Sequence, residues 1–357
     1  MRPIICLDMI VKDEAPVIGR CLASVRPFVD RWVIVDTGST DGTQQLVREA
    51  LRDLPGTLHE RPWRDFGHNR TEALQLAARE ADYLLFIDAD ETLKAPGGFA
   101  WPELTADAYF LPVEYGDCLY GRCALVSMRL EWRWVGVLHE YLASKPEARK
   151  ATLEQPRIVV SHDGARARDP QTYLKDIAIL EAAVARDPQD ARNVFYLAQS
   201  YRDAGRLEES AATYLRRAGM GGWDEERWFA LYQVARITER LRRDPAAIVE
   251  AYLTAYECRP SRAEPLYHLA RFHRERQQYA RALLFAQQGL AIAMPRDMLF
   301  VERDVYRWRL LDEAGTAAYY VGAREVGRRA IERLLAPGVA PDSERARIAA
   351  NLAFYAS

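Results

Sequence analysis

The chain has 357 residues, 28% of them charged and 49% hydrophobic, with a net charge of −2, so it is long enough for two domains with separate cores. That balance is the composition of an ordinary globular protein, and the net charge predicts no strong partner. Residues 1–165 hold 19 Lys and Arg against 25 Asp and Glu, a net −6, and the remainder nets +4. The acidic first part suits a site that accepts a cation. Five scattered cysteines (Cys6, Cys21, Cys118, Cys123 and Cys258) form no zinc pattern and no even disulfide framework, which points to reduced thiols. The apolar run at residues 4–11 is broken by Asp8 and is too short for a signal segment, and no run reaches membrane-spanning length. The expected location is cytoplasmic.

Residues 4–11 read as a first strand ending at Lys12-Asp13-Glu14, and a helix is expected over 16–25, where Pro16 is tolerated in the first turn. Residues 32–35 form a second strand that ends in Asp36-Thr37-Gly38-Ser39-Thr40-Asp41-Gly42-Thr43, followed by a helix over 44–52. Strand and helix alternating with short connections predict a parallel sheet. An acid at a strand's carboxyl end, as Asp36 is, suits ribose hydroxyls, although the same loop also reads as a capped turn. No G-x-G-x-x-G and no phosphate-loop motif occurs.

Tyr83-Leu84-Leu85-Phe86-Ile87 is a continuous apolar run that predicts a buried strand, and it stops at Asp88-Ala89-Asp90-Glu91. Crowded carboxylates at a strand's mouth repel one another unless a cation or a polyol sits between them. An Asp-x-Asp there suits a divalent metal bridging to phosphate, while helix capping is the plainer alternative.

Further strands are expected at 108–113, 124–128 and 131–134, where Trp132 and Trp134 share one face as core or as a sugar platform. Gly136-Val137-Leu138-His139-Glu140 supplies a carboxylate and an imidazole downstream of the acids, and residues 159–164 end the last strand at His162. After Asp169-Pro170 the pattern becomes helical. Residues 195–198 and 207–211 recur at 267–270 and 279–283, an offset of 72, with an intermediate copy at 229–236 and 246–255. This is a tetratricopeptide-like register, two repeats apart. The run Arg240-Leu241-Arg242-Arg243 reads as a solvated face, and Trp223, Trp228, Phe229 and Tyr232 as core or as an acceptor groove.

In order, Met9-Ile10-Val11-Lys12-Asp13-Glu14-Ala15, Val33-Ile34-Val35-Asp36-Thr37-Gly38-Ser39-Thr40-Asp41-Gly42-Thr43, His68-Asn69-Arg70 and Phe86-Ile87-Asp88-Ala89-Asp90-Glu91 resemble family 2 glycosyltransferases followed by tetratricopeptide repeats. The resemblance implies an α/β GT-A fold, Rossmann-like with a mostly parallel sheet, over residues 1–168. An all-α tetratricopeptide-like solenoid follows over 169–357. It also implies an inverting hexosyltransferase that uses a nucleotide-diphosphate sugar (a UDP-sugar) and a divalent metal, Mn or Mg. Asp36 would hold base or ribose, Arg70 base or diphosphate, Asp88 ribose or metal, and Asp90 the metal.

The implied donor set further takes in Lys12, Asp13, Glu14, Gly38, Ser39, Asp41, Asn69 and Ala89. His139 is assigned to the diphosphate or the metal, and His162 is a third metal ligand or a structural residue. Glu140 is the expected base that deprotonates the acceptor, with Asp117 and Glu114 as rivals. The helix carrying Arg70 is expected to begin near Asn69 and to lend its amides to the diphosphate. The expected acceptor is a polymer, peptide or protein or surface glycan, with a modified base in nucleic acid as the alternative. A non-catalytic nucleotide-sugar-binding scaffold is the competing class, and a homo-oligomer is left open.

Overall fold

The computed structural model describes residues 2–79, 81–116 and 118–355. The chain divides into two compact units, Met1–Arg186 and Asp187–Ser357. The division falls one helix later than the 168/169 boundary expected from where the helical pattern begins.

The first unit is built on a nine-stranded mixed sheet. Its parallel half is β1 (Ile5–Val11), β2 (Arg31–Asp36), β3 (Gly56–Glu60) and β4 (Tyr83–Phe86), in the order β3-β2-β1-β4. The strands are apolar on both faces because helices or a hairpin cover both. Ile5, Leu7, Met9 and Val11 join Tyr83, Leu85 and Ile87 in one core, whereas Cys6 joins Leu84 and Phe86 in the other. This is the two-residue alternation of a strand. The first face is covered by α1 (Ile18–Val25), which buries Ile18, Cys21, Leu22 and Val25, and by α2 (Thr43–Ala50). The second packs on α3 (Phe66–Ala77).

Beyond β4 the sheet becomes mixed. β5 (Glu91–Lys94), β6 (Ala108–Tyr115), β7 (Cys118–Ser127), β10 (Lys150–Thr152) and β11 (Arg157–Val160) complete it, with β4-β7-β6-β11-β5 as the order and β10 beside β6. Here β4–β7, β7–β6 and β11–β5 pair antiparallel, whereas β6–β11 and β6–β10 pair parallel. A separate hairpin, β8 (Glu131–Val135) with β9 (Tyr141–Lys145), lies against α3. In it Trp132 is 8% exposed and Trp134 is half-buried against Phe86, so both indoles serve as core. A single-turn helix, α4 (Ala165–Arg168), and a 15-residue helix, α5 (Thr172–Arg186), close the unit.

The second unit is wholly helical among its described residues. α6 (Ala191–Asp203) pairs with α7 (Leu207–Ala218), α8 (Asp224–Arg240) with α9 (Pro245–Cys258), and α10 (Glu264–Glu275) with α11 (Tyr279–Leu290). The pairs follow the 72-residue register of the sequence. α12 (Leu310–Tyr320), α13 (Arg324–Leu335) and α14 (Asp342–Leu352) extend the stack. Trp228, Phe229 and Tyr232 are interior to the stack, and Trp223 is exposed. The long link between α11 and α12 is pinned by Arg262, which is fully buried. Its guanidinium lies 3.7 Å from the Trp228 ring centroid and bonds to Glu264, Asp297 and the carbonyls of Leu299 and Phe300.

Candidate active site

The carboxyl ends of β1, β2 and β4 point their loops to one edge of the sheet. The loops after β1 and β2 are stitched together. The Asp13 amide donates to Ser39 Oγ, Asp13 Oδ1 accepts from the Thr40 amide, the Glu14 amide donates to Thr43 Oγ1, and the Ala15 amide donates to Asp41. Asp13, Ser39 and Asp41, expected at the donor, therefore spend these groups on loop structure. Asp36 is 1% exposed. One of its oxygens accepts from the amides of Gly38 and Ser39 and from Gln44 Nε2, while the other is buried with no partner. Gly38, with φ +109°, gives the turn that aims those amides back. The unpartnered oxygen is an acceptor awaiting a donor, as a base or ribose would provide.

Helix α3 starts earlier than the sequence suggests. Asp65 caps it by accepting from the His68 amide, so Arg70 stands in its second turn and not beside its free amides. Asn69 is fully buried and braces the preceding loop through the Arg64 amide and the Pro62 carbonyl. Its expected donor contact is corrected to a structural role.

Arg70 joins the parts of the site. Its guanidinium bonds to Asp88 Oδ1 at 2.5 Å, lies 2.6 Å from Glu140 Oε1, and faces the Trp134 ring at 5.2 Å. The Glu140 contact is an ion pair without hydrogen-bond alignment, since Arg70 Nε has no hydrogen-bond partner. Beneath it on β1, Asp8 is 2% exposed with one oxygen unpartnered. Burial pushes its carboxyl well up, against the pull of Arg70. Burial would raise Asp88 as well, but the charges of Arg70 and Arg122 and the Arg70 hydrogen bond hold it below the usual carboxylate range.

Arg122, on β7, grips Glu91 through two bonds of 2.8 and 2.5 Å and lies 3.8 Å from Asp88. Glu91 is 3% exposed and also accepts from the Asp88 amide. The third acid of the motif is thus a brace for the turn that presents the other two. Sequence reasoning missed Asp8, Gln44 and Arg122. A charge inside an otherwise apolar strand was the signal for Asp8; nothing local marked Arg122, whose partner lies 31 residues away.

Asp90 is raised by burial and by the charge of Asp88. Glu14, which accepts from the Ala165 amide, is pushed up to about 7, first by burial and also by Asp90 and Asp88. A segment at residues 161–168 folds back over these acids. The Ser161 amide donates to the Asp90 carbonyl, Gly164 lies against the Asp90 carboxylate where a Cβ would stand 3.0 Å away, and Arg168 donates to the Asp13 carbonyl.

Among the described residues no three His, Cys, Asp or Glu side chains converge as a metal-ligand set. His162 is exposed, with its ring 4.9 Å from that of Tyr115, so Asp88, Asp90 and His162 do not form the three-ligand cage expected. The oxygen-rich, mutually repelling trio Glu14, Asp88 and Asp90 nevertheless fits a hard cation that takes one or two carboxylates and completes its shell with phosphate and water. Ala89 is buried behind the acids, whereas Lys12 and His139 are exposed, the latter with φ +51°. Glu114 is paired with Arg157 at 2.8 Å in an exposed contact, and Asp117 lies outside the described residues.

The first unit is an α/β sheet whose strand ends gather acids around a buried arginine, and the second is a stack of helix pairs. The pattern of the family described as Glycosyl transferase family 2 matches residues 8–95. A TPR repeat-containing protein of Synechococcus elongatus is 30% identical over 314 residues, covering 81% of this chain and 75% of its own length. The lipopolysaccharide core biosynthesis glycosyltransferase LpsC of Rhizobium meliloti is 35% identical over 104 residues, 29% of this chain and 36% of that protein. Among solved structures, a crystal structure of MamA covers 47% of this chain and 90% of its own, at a TM-score of 0.37 and 15% identity. The chain belongs to the glycosyltransferases of family 2 that continue into tetratricopeptide repeats.

Proposed function

We propose that the protein is an inverting, metal-dependent hexosyltransferase that moves a sugar from a UDP-sugar to a peptide, protein or surface-glycan acceptor held partly by the repeats. The supporting observation is the contact chain Asp88–Arg70–Glu140, which puts an acid of the donor side and a carboxylate able to act as base on the same guanidinium. Asp36 takes the base or ribose through its unpartnered oxygen. Asp88 and Asp90 would hold a Mn or Mg ion that accompanies the diphosphate. When bound, that cation offsets the negative charge gathering on the leaving group.

The acceptor hydroxyl attacks the anomeric carbon from the face opposite the diphosphate. Its oxygen forms the new bond, its proton passes to Glu140, and the carbon–oxygen bond to phosphate breaks with its electron pair leaving on the diphosphate. Arg70 serves both ends of this exchange. Its guanidinium, already fixed between Asp88 and Glu140, sets the carboxylate in place and offers positive charge to the diphosphate side. The name of the Rhizobium relative favours a surface glycan among the acceptors.

Purified full-length protein with Mn²⁺ or Mg²⁺ and a panel of nucleotide sugars tests this by release of nucleoside diphosphate. Turnover that Glu140→Gln abolishes while nucleotide binding survives is the expected result. Donor binding without any turnover for every sugar and acceptor offered would leave the scaffold reading in its place.

A further inference from the structure

The helical unit contains a cavity of about 550 Å³ between α6, α8, α9 and α10, and the transfer chemistry makes no use of it. Its floor is closed and neutral. His268 is 8% exposed, its Nε2 is 2.7 Å from the Tyr232 hydroxyl, and its ring stacks on that of Tyr252 at 5.3 Å. Tyr252 itself is fully buried and donates to Glu239. Burial, and then the charges of Arg236, Arg271 and Arg309, hold the His268 imidazole well below its ordinary value, so it stays uncharged.

The walls are cationic. Arg202, Arg236, Arg240 and Arg271 line the cavity, against Asp203 and Glu239. Arg271 is committed, bonding to both Glu239 and Glu275. Arg202 is paired with Asp203, its neighbour in the chain. Arg236 lies 5.7 Å from the Tyr232 ring centroid and 3.4 Å from Glu302, which is shared with the Tyr232 hydroxyl and with Arg309 at 3.7 Å. Arg236 and Arg240 are four residues apart on α8, so two like charges sit on one helix face, an arrangement that weakens a helix unless something answers it. The helix dipole favours a cation in the last turn, which accounts for Arg240 but not for the pair aimed into one cavity.

We propose that this cavity binds a phosphate monoester dianion, held by Arg236 and Arg240 with Arg202 opposite. The lining carries four guanidiniums and two carboxylates, and Glu275 and Glu302 lie behind it, so the donors for a phosphate are the N–H groups of Arg236 and Arg240 that those carboxylates leave unused. Planar guanidiniums offer paired N–H donors in the spacing of phosphate oxygens, which a lysine cluster would not. The volume admits the phosphate together with one sugar ring or side chain bearing it. The hydroxyl-and-imidazole floor supplies no charge of its own, so selection rests on the rim.

Isothermal titration of the full-length protein with inorganic phosphate tests this, alongside glutarate as a dicarboxylate of equal charge. The Arg236→Gln/Arg240→Gln pair is compared with Arg281→Gln on the exposed face of α11. Phosphate binding that weakens by about tenfold or more in the pair and is unchanged in Arg281→Gln supports the assignment. Thermal unfolding of the pair at or above the parent's temperature separates lost contacts from lost fold. Phosphate binding unchanged in the pair overturns the site, and glutarate binding as tightly as phosphate overturns the phosphate assignment in favour of an acidic peptide or sugar acid.

Discussion

Arg70→Met removes the charge that three carboxylates share. In the parent, the Arg70 side chain is 13% exposed, Glu140 10% and Asp88 40%. Stranding a buried partner costs about 3–5 kcal/mol, and Asp88, which recovers water, contributes the smaller share, so the lower end of about 3 kcal/mol applies. For a unit of this size each kcal/mol moves the melting temperature by about 2–4 °C, giving a drop of roughly 6–12 °C near neutral pH. The pH dependence fixes the cause. Asp88 has a depressed value in the folded parent, so its stabilising contribution is present above the ordinary aspartate range and is lost as pH falls through the folded value. In the variant the same carboxylate lacks its counter-charge, its folded value rises, and acidification relieves the penalty. Melts followed by tryptophan fluorescence between about pH 7 and 4 should show the gap between parent and variant closing. A gap under about 2 °C at neutral pH, or one that stays constant on acidification, would refute the shared-charge account.

Glu140→Gln should lower kcat by about 10²–10⁴-fold with little change in nucleotide affinity, read from initial rates and calorimetry. Asp90→Ala should remove the metal dependence of nucleoside-diphosphate binding, and undiminished Mn²⁺-dependent binding would contradict its placement. Glu14, raised to about 7 when folded, contributes stability that is full below its unfolded value near 4.5 and is lost as pH rises through 7. Glu14→Gln should accordingly flatten the decline in melting temperature between about pH 5 and 8. A methyl at Gly67 would overlap the Gly136 carbonyl oxygen, so Gly67→Ala should cost about 1–3 kcal/mol and reduce turnover as well, because the displaced loop carries Glu140.

What the sequence revealed follows from how local each signal was. The five-residue apolar run before Asp88 is a strand because both of its faces are buried, and the two-repeat spacing of the helices is a periodicity that no single residue obscures. The mixed half of the sheet was harder to foresee. β5 and β11 are four residues each, and their pairing joins Glu91 to Val160 across most of a domain, which no local pattern encodes. The same limit applied at the site. The three acids after Ile87 were visible as a cluster, yet their division of labour was not, because it is set by Arg122 from a strand that arrives later and by Arg70 from the helix before them. Asn69 was placed at the donor by the resemblance, as part of His68-Asn69-Arg70. On a helix, neighbours in sequence face different directions, and the amide turned inward.

The backward-folding segment at residues 161–168 has a practical bearing on dissecting the enzyme. Asp90, Glu14 and Asp13 each receive a hydrogen bond from it, and Arg20 clasps Asp163 through both guanidinium nitrogens. A recombinant fragment cut soon after residue 95, where the matched family pattern stops, or even at the last strand, would leave that acidic corner uncovered. An excised catalytic half has to carry the chain through Arg186 to keep its own lid.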